Sequence, residues 1–364
     1  MKIFISGGSN SILKNGYTHF LKRHLGQSGL LPNVEIRNIS VGANCSLMSL
    51  MRLFQIEKEM NSGDCIIWEY ALNDLMHIHK KYTTQYFSKI LSQIIIFCAN
   101  KNLNFIPLIL YLQNQYKNNP PLFIEYHSVL NNHAISIIDI KEKIRKEFFV
   151  DFLPELDWEI AFHIRTNHIS TSLVSKFVAD EIVKIYNHGK CKIIPPFIEE
   201  EKINDIKNLK FIDAEQLDNL SSGDKKVENF SNSLLGNITY LRINQISFLL
   251  EGELIGIQFL SKIQSSLFQI DFLNETYILP SKHINVNKAR PNILSALSLE
   301  IACGKALIFN NKTNISFSNV GNLDQDKKDK AIKIHPFNSI SGGNELLITG
   351  LLIQGDIYPL SNIS

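Results

Sequence analysis

No stretch of this sequence approaches the ~20 consecutive apolar residues that a membrane-crossing helix needs, so a soluble protein is expected. Cysteines are few: Cys45, Cys65, Cys98, Cys191 and Cys303 are odd in number, scattered, and never spaced as Cys-x-x-Cys. That pattern argues against structural zinc and for reduced, mostly buried thiols. Charge imbalance is also lacking, with 37 Lys and Arg against 35 Asp and Glu for a net charge of +2. Without a concentrated basic face, nucleic acid is excluded as the expected partner. Neither a P-loop nor a dinucleotide glycine signature is present, so no tightly bound cofactor is expected. The opening Met1-Lys2-Ile3-Phe4-Ile5 meets glycine too early to form the core of a secretory signal, so a cytoplasmic protein is expected.

What the sequence does contain is 45% hydrophobic and 20% charged residues, a globular composition, over a length of 364 that suggests two domains. The first half alternates short apolar runs with longer helical patterns. Strands are predicted at Lys2–Ser6, Val34–Ser40, Asp64–Glu69, Asn104–Leu110 and Ser136–Ile140, and helices at Ile12–His24, Ser46–Met60, Thr84–Asn100, Pro121–His133 and Thr171–Tyr186. Such alternation predicts an α/β domain, a flavodoxin-like, doubly wound, parallel five-stranded sheet over residues 1–194. Residues 195–232 turn polar and charged and read as a linker or irregular connection. From 233 to 364 short β-like runs punctuated by Gly and Asn predict a mainly-β domain, read as a β-sandwich.

Chemistry concentrates at the ends of the predicted strands. Ile3-Phe4-Ile5-Ser6-Gly7-Gly8-Ser9 runs a buried strand into a glycine turn and sets Ser9 at the carboxyl edge of the sheet, where open α/β folds bind ligands. Taken alone, Ser9 reads more readily as a helix cap. Three further segments end at the same edge. Ser40-Val41-Gly42-Ala43-Asn44 offers a glycine N–H that a ligand can approach closely. Trp68-Glu69-Tyr70-Ala71-Leu72-Asn73-Asp74 offers a carboxamide donor, and Thr166-Asn167-His168 places a histidine before the last helix. Asp74 reads either as support for Asn73 or as a cap of the following helix.

The order Ser9, Gly42, Asn73, His168 resembles the SGNH hydrolase superfamily, the GDSL-like esterases and acyltransferases, across roughly residues 1–190. In that family the blocks read Gly-Asp-Ser, Gly, Gly-x-Asn-Asp and Asp-x-x-His. Here Gly8 replaces the Asp of the first block, Ala71 replaces the Gly of the third, and Arg165 stands where the last block carries its acid. The resemblance implies nucleophilic acyl transfer through acyl-Ser9, with His168 as base and with the N–H groups of Ser9 and Gly42 and the Asn73 side chain as an oxyanion hole. It leaves the orientation of His168 to another group, either a backbone carbonyl such as that of Arg165 or the Asp157 carboxylate. His163 is read as structural rather than as a second base.

Two decoys read as bland. His77-Ile78-His79 suggests a metal pair, but helix residues two apart do not share a face, and a surface role is expected with no metal site. Cys45 follows the Gly42 block without a basic partner and reads as a buried thiol. The expected activity is O-acetylation of a bacterial surface polysaccharide or its precursor, with acetyl-CoA as co-substrate and a carbohydrate acceptor. Hydrolysis of a carbohydrate acyl ester is one alternative. A non-catalytic glycan-binding or assembly protein is another, with Tyr240, Phe259, Phe268, Phe272 and Tyr277 exposed to sugar rings. The second half could equally pack on the first or build a homo-oligomer.

Overall fold

A computed structural model describes residues 1–13, 16–27, 34–78, 82–111, 119–142, 146, 179–185, 187–188, 208–232, 235–288, 290–320, 331–332, 337–338 and 344–360. The chain divides into two compact units, Met1–Ile203 and Asn204–Ser364.

The first unit contains β1 (Lys2–Gly7), α1 (Tyr17–Gln27), β2 (Glu35–Asn38), α2 (Ser46–Gln55), β3 (Cys65–Glu69), α3 (Ala71–Ile78), α4 (Thr84–Asn100), β4 (Asn104–Ile109), α5 (Pro121–Asn132) and β5 (Ile138–Asp139). All five strands predicted from apolar runs are present. Helix α3 follows β3 so closely that its apolar residues merge with the strand in the sequence. The strands lie in the order β2-β1-β3-β4-β5, every pair parallel, which is the flavodoxin-like doubly wound arrangement. Because the middle of such a sheet is covered on both faces, its inner strands are largely apolar: Phe4, Ile5, Ile66, Ile67, Phe105 and Ile106 are fully buried, whereas the edge strand β2 is Glu-Ile-Arg-Asn and partly exposed. Helix α4 starts at a Thr83 cap, whose hydroxyl accepts the Tyr86 N–H at 3.1 Å. Helix α5 opens on Pro121, where the missing N–H costs nothing.

The winding reverses at β1: the chain goes outward to β2, then returns across β1 to β3. A crevice for ligands forms at such a switch point, outside the carboxyl ends of the strands. Ser9 follows β1 and Asn73 follows β3, so both flank it.

The second unit is mainly β. It comprises β6 (Leu209–Asp213), α6 (Ala214–Leu220), β7 (Ser222–Asn232), β8 (Gly236–Lys262), β9 (Leu267–Phe272), β10 (Glu275–Pro280), β11 (Lys282–His283), β12 (Asn292–Ser298), α7 (Leu299–Cys303), β13 (Leu307–Asn319), β14 (Phe337–Asn338) and β15 (Leu347–Tyr358). Eight of these strands join one sheet, and the 27-residue β8 pairs in turn with β7, β13, β15 and β12. Where β8 meets β15, Gly252 and Gly355 lie opposite each other at φ 128° and 114°. A Cβ on Gly252 would stand 2.0 Å from the Gln354 carbonyl oxygen, so only glycine permits the backbones to bend past one another there. The reading of 195–232 as linker is corrected for its described part. Residues 209–232 form β6, α6 and β7, with α6 held by an Asp213–Gln216 capping box. The charges that suggested a linker line a strand whose pairing is with β8 alone, as suits a sheet edge. Among the described residues no helix is long and apolar enough to cross a membrane.

Candidate active site

The chain leaves β1 through two glycines whose backbones other groups approach too closely for a side chain. A Cβ on Gly7 would lie 2.1 Å from Ser11 Oγ, and one on Gly8 would lie 1.9 Å from Asn73 Oδ1. With these side chains where they stand, neither position has room for a Cβ, and the Asn73 carboxamide packs directly on Gly8. A single 3-10 turn, Ser9–Ile12, follows, with Ser9 partly exposed at its start.

Gly42 meets this turn from the end of β2. A Cβ on Gly42 would sit 3.4 Å from Ser9 Oγ and 3.7 Å from Ser9 Cα, so the hydroxyl faces the glycine backbone directly. Two hydrogen bonds hold the Gly42 segment. Val41 donates its N–H to the Gly7 carbonyl at 3.1 Å and Asn44 Nδ2 donates to the Gly42 carbonyl at 3.0 Å, with Ala43 between them at a φ of 61°. Asn73 Nδ2 in turn donates to the Asn44 carbonyl at 2.9 Å. The three predicted positions Ser9, Gly42 and Asn73 therefore come together, linked through Gly8 and Asn44. His168, Arg165, Asp157 and His163 lie outside the described residues, as does most of the predicted helix Thr171–Tyr186, of which residues 179–185 are helical.

Asp74 neither points to the Ser9 turn nor caps its own helix. It is fully buried and accepts the Ser46 N–H at 2.7 Å, the Ser46 hydroxyl and the Tyr126 hydroxyl, thereby capping α2 and tying α3 to α2 and α5. Burial pushes its carboxyl up to about 7 despite these bonds. His77 is corrected from a surface residue to a buried one. Its Nδ1 meets the Asn73 carbonyl oxygen at 2.7 Å and its ring lies edge-on to Tyr82, while His79 is outside the described residues. Cys45 is buried at the start of α2, where desolvation and the nearby Asp74 push its thiol well above the ordinary range.

The sequence reading passed over one group at this edge, Glu69. It ends β3 directly opposite Gly7 and is fully buried. Its backbone carbonyl accepts the Gly8 N–H at 2.9 Å, and its Oε2 accepts the same N–H at 3.3 Å and the Ser11 hydroxyl at 2.9 Å. The Asn10 side chain bonds the same carboxyl, and Tyr17 OH reaches Ser11 Oγ at 2.7 Å. Burial outweighs these bonds and raises the carboxyl to about 7. The available signal was an acid closing the otherwise apolar Cys65–Glu69.

Comparison with known proteins is consistent in where it falls. No family model matches the chain, and no curated protein matches it. Among solved structures, the acetyl xylan esterase AlAXEase is 14% identical and covers 50% of this chain and 98% of its own, with a TM-score of 0.41. The psychrotrophic esterase EstA from Pseudoalteromonas sp. is 16% identical over 51% of this chain and 98% of its own, with a TM-score of 0.38. The lipase/acylhydrolase from Enterococcus faecalis is 18% identical over 53% of this chain and 98% of its own, also at 0.38. The chain is thus similar to esterases and an acylhydrolase over about half its length and nearly all of theirs.

Proposed function

We propose that the first unit is a serine acyl-transfer enzyme acting on acyl esters of carbohydrates, with Ser9 as nucleophile. The observation that carries this reading is the meeting of Ser9, Gly42 and Asn73 at the switch point of the sheet, with the Ser9 hydroxyl against the Gly42 backbone. Ser9 Oγ attacks the acyl carbonyl while His168 takes its proton. The oxyanion that forms is received by the N–H groups of Ser9 and Gly42 and by Asn73. An amide nitrogen carries two N–H bonds, and donation of one to Asn44 orients the group and leaves the other for the oxyanion. Collapse of the tetrahedral species expels the alcohol or thiol, which takes the proton from His168. The acyl-Ser9 so formed passes its acyl group to an acceptor hydroxyl that His168 deprotonates in turn. With Arg165 in the family's acid position, a backbone carbonyl or Asp157 is left to orient His168.

The finer reading is O-acetylation of a glycan hydroxyl with acetyl-CoA as donor, and the alternative acceptor is water, which makes the protein a carbohydrate esterase. Glycan binding through second-unit aromatics loses its support, because Tyr240, Phe259, Phe268 and Phe272 are buried in cores of that unit and Tyr277 packs partly buried against Phe272. The test is thiol release from acetyl-CoA with and without bacterial glycans, beside hydrolysis of an aryl acetate, in the parent and Ser9→Ala. Acceptor-dependent release lost in the variant supports the transferase. Aryl acetate cleavage alone, lost in the variant, supports the esterase. Activity unchanged in Ser9→Ala would sink both.

A further inference from the structure

Glu69 grips the residues on both sides of Ser9 at once. Its Oε2 accepts from the Gly8 N–H before it and the Ser11 hydroxyl after it, and the Asn10 side chain bonds the same carboxyl. The other oxygen, Oε1, is buried without a hydrogen-bond partner, as is the Asn10 Oδ1 acceptor on the same turn. A carboxylate shares its charge between two oxygens, and leaving one of them bare in a dry interior is costly. A carboxylic acid has one acceptor oxygen and one O–H, which is the asymmetry seen here.

We infer that Glu69 is a positioning residue that fixes the Ser9 turn as a neutral carboxylic acid, accepting at Oε2 and giving the proton on Oε1 to Asn10 Oδ1. The catalytic half of this inference rests on the acyl-Ser9 reading; the protonation half does not. One proton satisfies two buried orphan acceptors and closes a clamp over residues 8 to 11, so that the Ser9 N–H and hydroxyl are held in one geometry. Burial and the like charge of Asp74 on α3 favour the neutral form, while the bonds from Ser11, Asn10 and the Gly8 N–H favour the ionised one. Tyr17 from α1 reaches the carboxyl through Ser11, and Tyr70 beside it interacts with the buried Arg52 of α2. Burial outweighs those bonds and raises the carboxyl to about 7. The bond to Asn10 is therefore made in mildly acidic solution and is lost as Glu69 ionises above neutrality, while the Gly8 and Ser11 donors stay on Oε2.

The experiment compares the full chain with Glu69→Gln and Glu69→Ala by two readouts. The first is the infrared carbonyl stretch of protonated carboxyls, followed from mildly acidic to alkaline pH, which needs no activity. A band present in the parent at acidic pH, absent in Glu69→Gln and lost from the parent as pH rises through neutrality is expected. If Glu69→Gln removes no such band, the acid is ionised and the inference is overturned. The second is the rate of Ser9 phosphonylation by a fluorophosphonate. Glutamine reproduces one acceptor and one donor, so Glu69→Gln should recover most of a roughly 100-fold loss expected in Glu69→Ala from a displaced nucleophile, and it should stay flat where the parent declines above neutrality. Glu69→Ala labelling as fast as the parent overturns the positioning role, and Glu69→Gln labelling as slowly as Glu69→Ala does the same. A parent that is not labelled at Ser9 refutes the acyl-Ser9 reading and with it the positioning role, while the infrared result still decides whether the acid is neutral.

Discussion

The two units bury different kinds of polar group. The first encloses Arg52, Asp64, Glu69, Asp74, Asp139 and Glu181, whereas the described residues of the second bury only neutral groups such as Gln258, Ser261, Ser266, Ser281, Ser295 and Thr349, together with His283. Of the second unit's ion pairs, Lys305 with Glu275 and Lys210 with Asp356 lie at its surface, while Arg242 with Glu228 and Glu345, and Lys225 with Asp218, are partly exposed. A buried hydroxyl is satisfied by one nearby carbonyl, as Ser261 is by Ser281 at 2.6 Å, and costs little. A buried carboxyl is expensive and shifts its proton equilibrium, and proteins concentrate such groups where chemistry is done. The contrast separates a unit that withdraws carboxyls from water from one whose fully buried polar groups are neutral.

The largest effect that sharpens this contrast belongs to the second unit's core. Phe259 is fully buried and touches Phe268 and Phe337 edge-on or tilted. Phe259→Ala should destabilise that unit by about 3–5 kcal/mol, seen as faster hydrogen exchange across β8, β9 and β15, and should leave Ser9 phosphonylation unchanged in folded protein. Slower phosphonylation would mean that the separation of the two units is false. Next comes Asn73→Ala, expected to lower acyl transfer by ~10²–10³ in kcat with little change in KM, because the lost N–H acts only on the transition state. A change confined to KM would instead make Asn73 a substrate-binding group.

The same contrast predicts opposite responses to pH. Glu69 and Asp74 are raised to about 7 in the fold, above their ordinary carboxylate values, so the folded state holds these protons more tightly than the unfolded chain does. The stability they contribute is complete below about pH 4 and is lost as pH rises through about 7. The first unit should therefore exchange its amide hydrogens faster, relative to intrinsic rates, at pH 8 than at pH 5.5. Asp74→Asn should blunt that change, since the Ser46 and Tyr126 hydroxyls can rotate to suit an amide. Equal pH dependence in the variant would show that the cost lies elsewhere.

How much of this was legible in the sequence follows from the range of the interactions. Local signals carried α4, whose apolar period runs over Thr84–Asn100, and the inner strands of the parallel sheet, whose double-sided burial writes itself as apolar runs. The convergence of Ser9, Gly42 and Asn73 was legible because each follows a strand within a few residues, and parallel strands share one carboxyl edge. Asp74's partner was not, because Ser46 and Tyr126 lie on other helices and no spacing rule connects them. Glu69 was hidden by the apolar pattern around it. In the second unit β7 hid behind its charges, and β8 was not legible as one strand because Asn244 and Gly252 punctuate its apolar runs like turns when its partners along 27 residues are unseen.

The smallest effect tests the other side of the comparison, the partly exposed charges of the second unit. Arg242 donates through Nη2 and Nε to Glu228 at 2.9 and 3.3 Å and through Nη1 to Glu345 at 2.6 Å, and Tyr240 OH adds a bond to Glu228 at 2.8 Å. The Arg242 hydrogen bonds hold the Glu228 carboxyl down at about 2. Here the sign is the reverse of Glu69's: the stability exists above about pH 4 and disappears as pH falls through about 2. The Arg242 side chain is 39% exposed, however, so water screens the attraction and competes for every donor. Arg242→Met should accordingly cost no more than about 1 kcal/mol at pH 6, with the gap from the parent closing toward pH 2 in denaturant melts. A loss several times larger would mean that the network is energetically part of the interior, and that the second unit, like the first, depends on charges withdrawn from water.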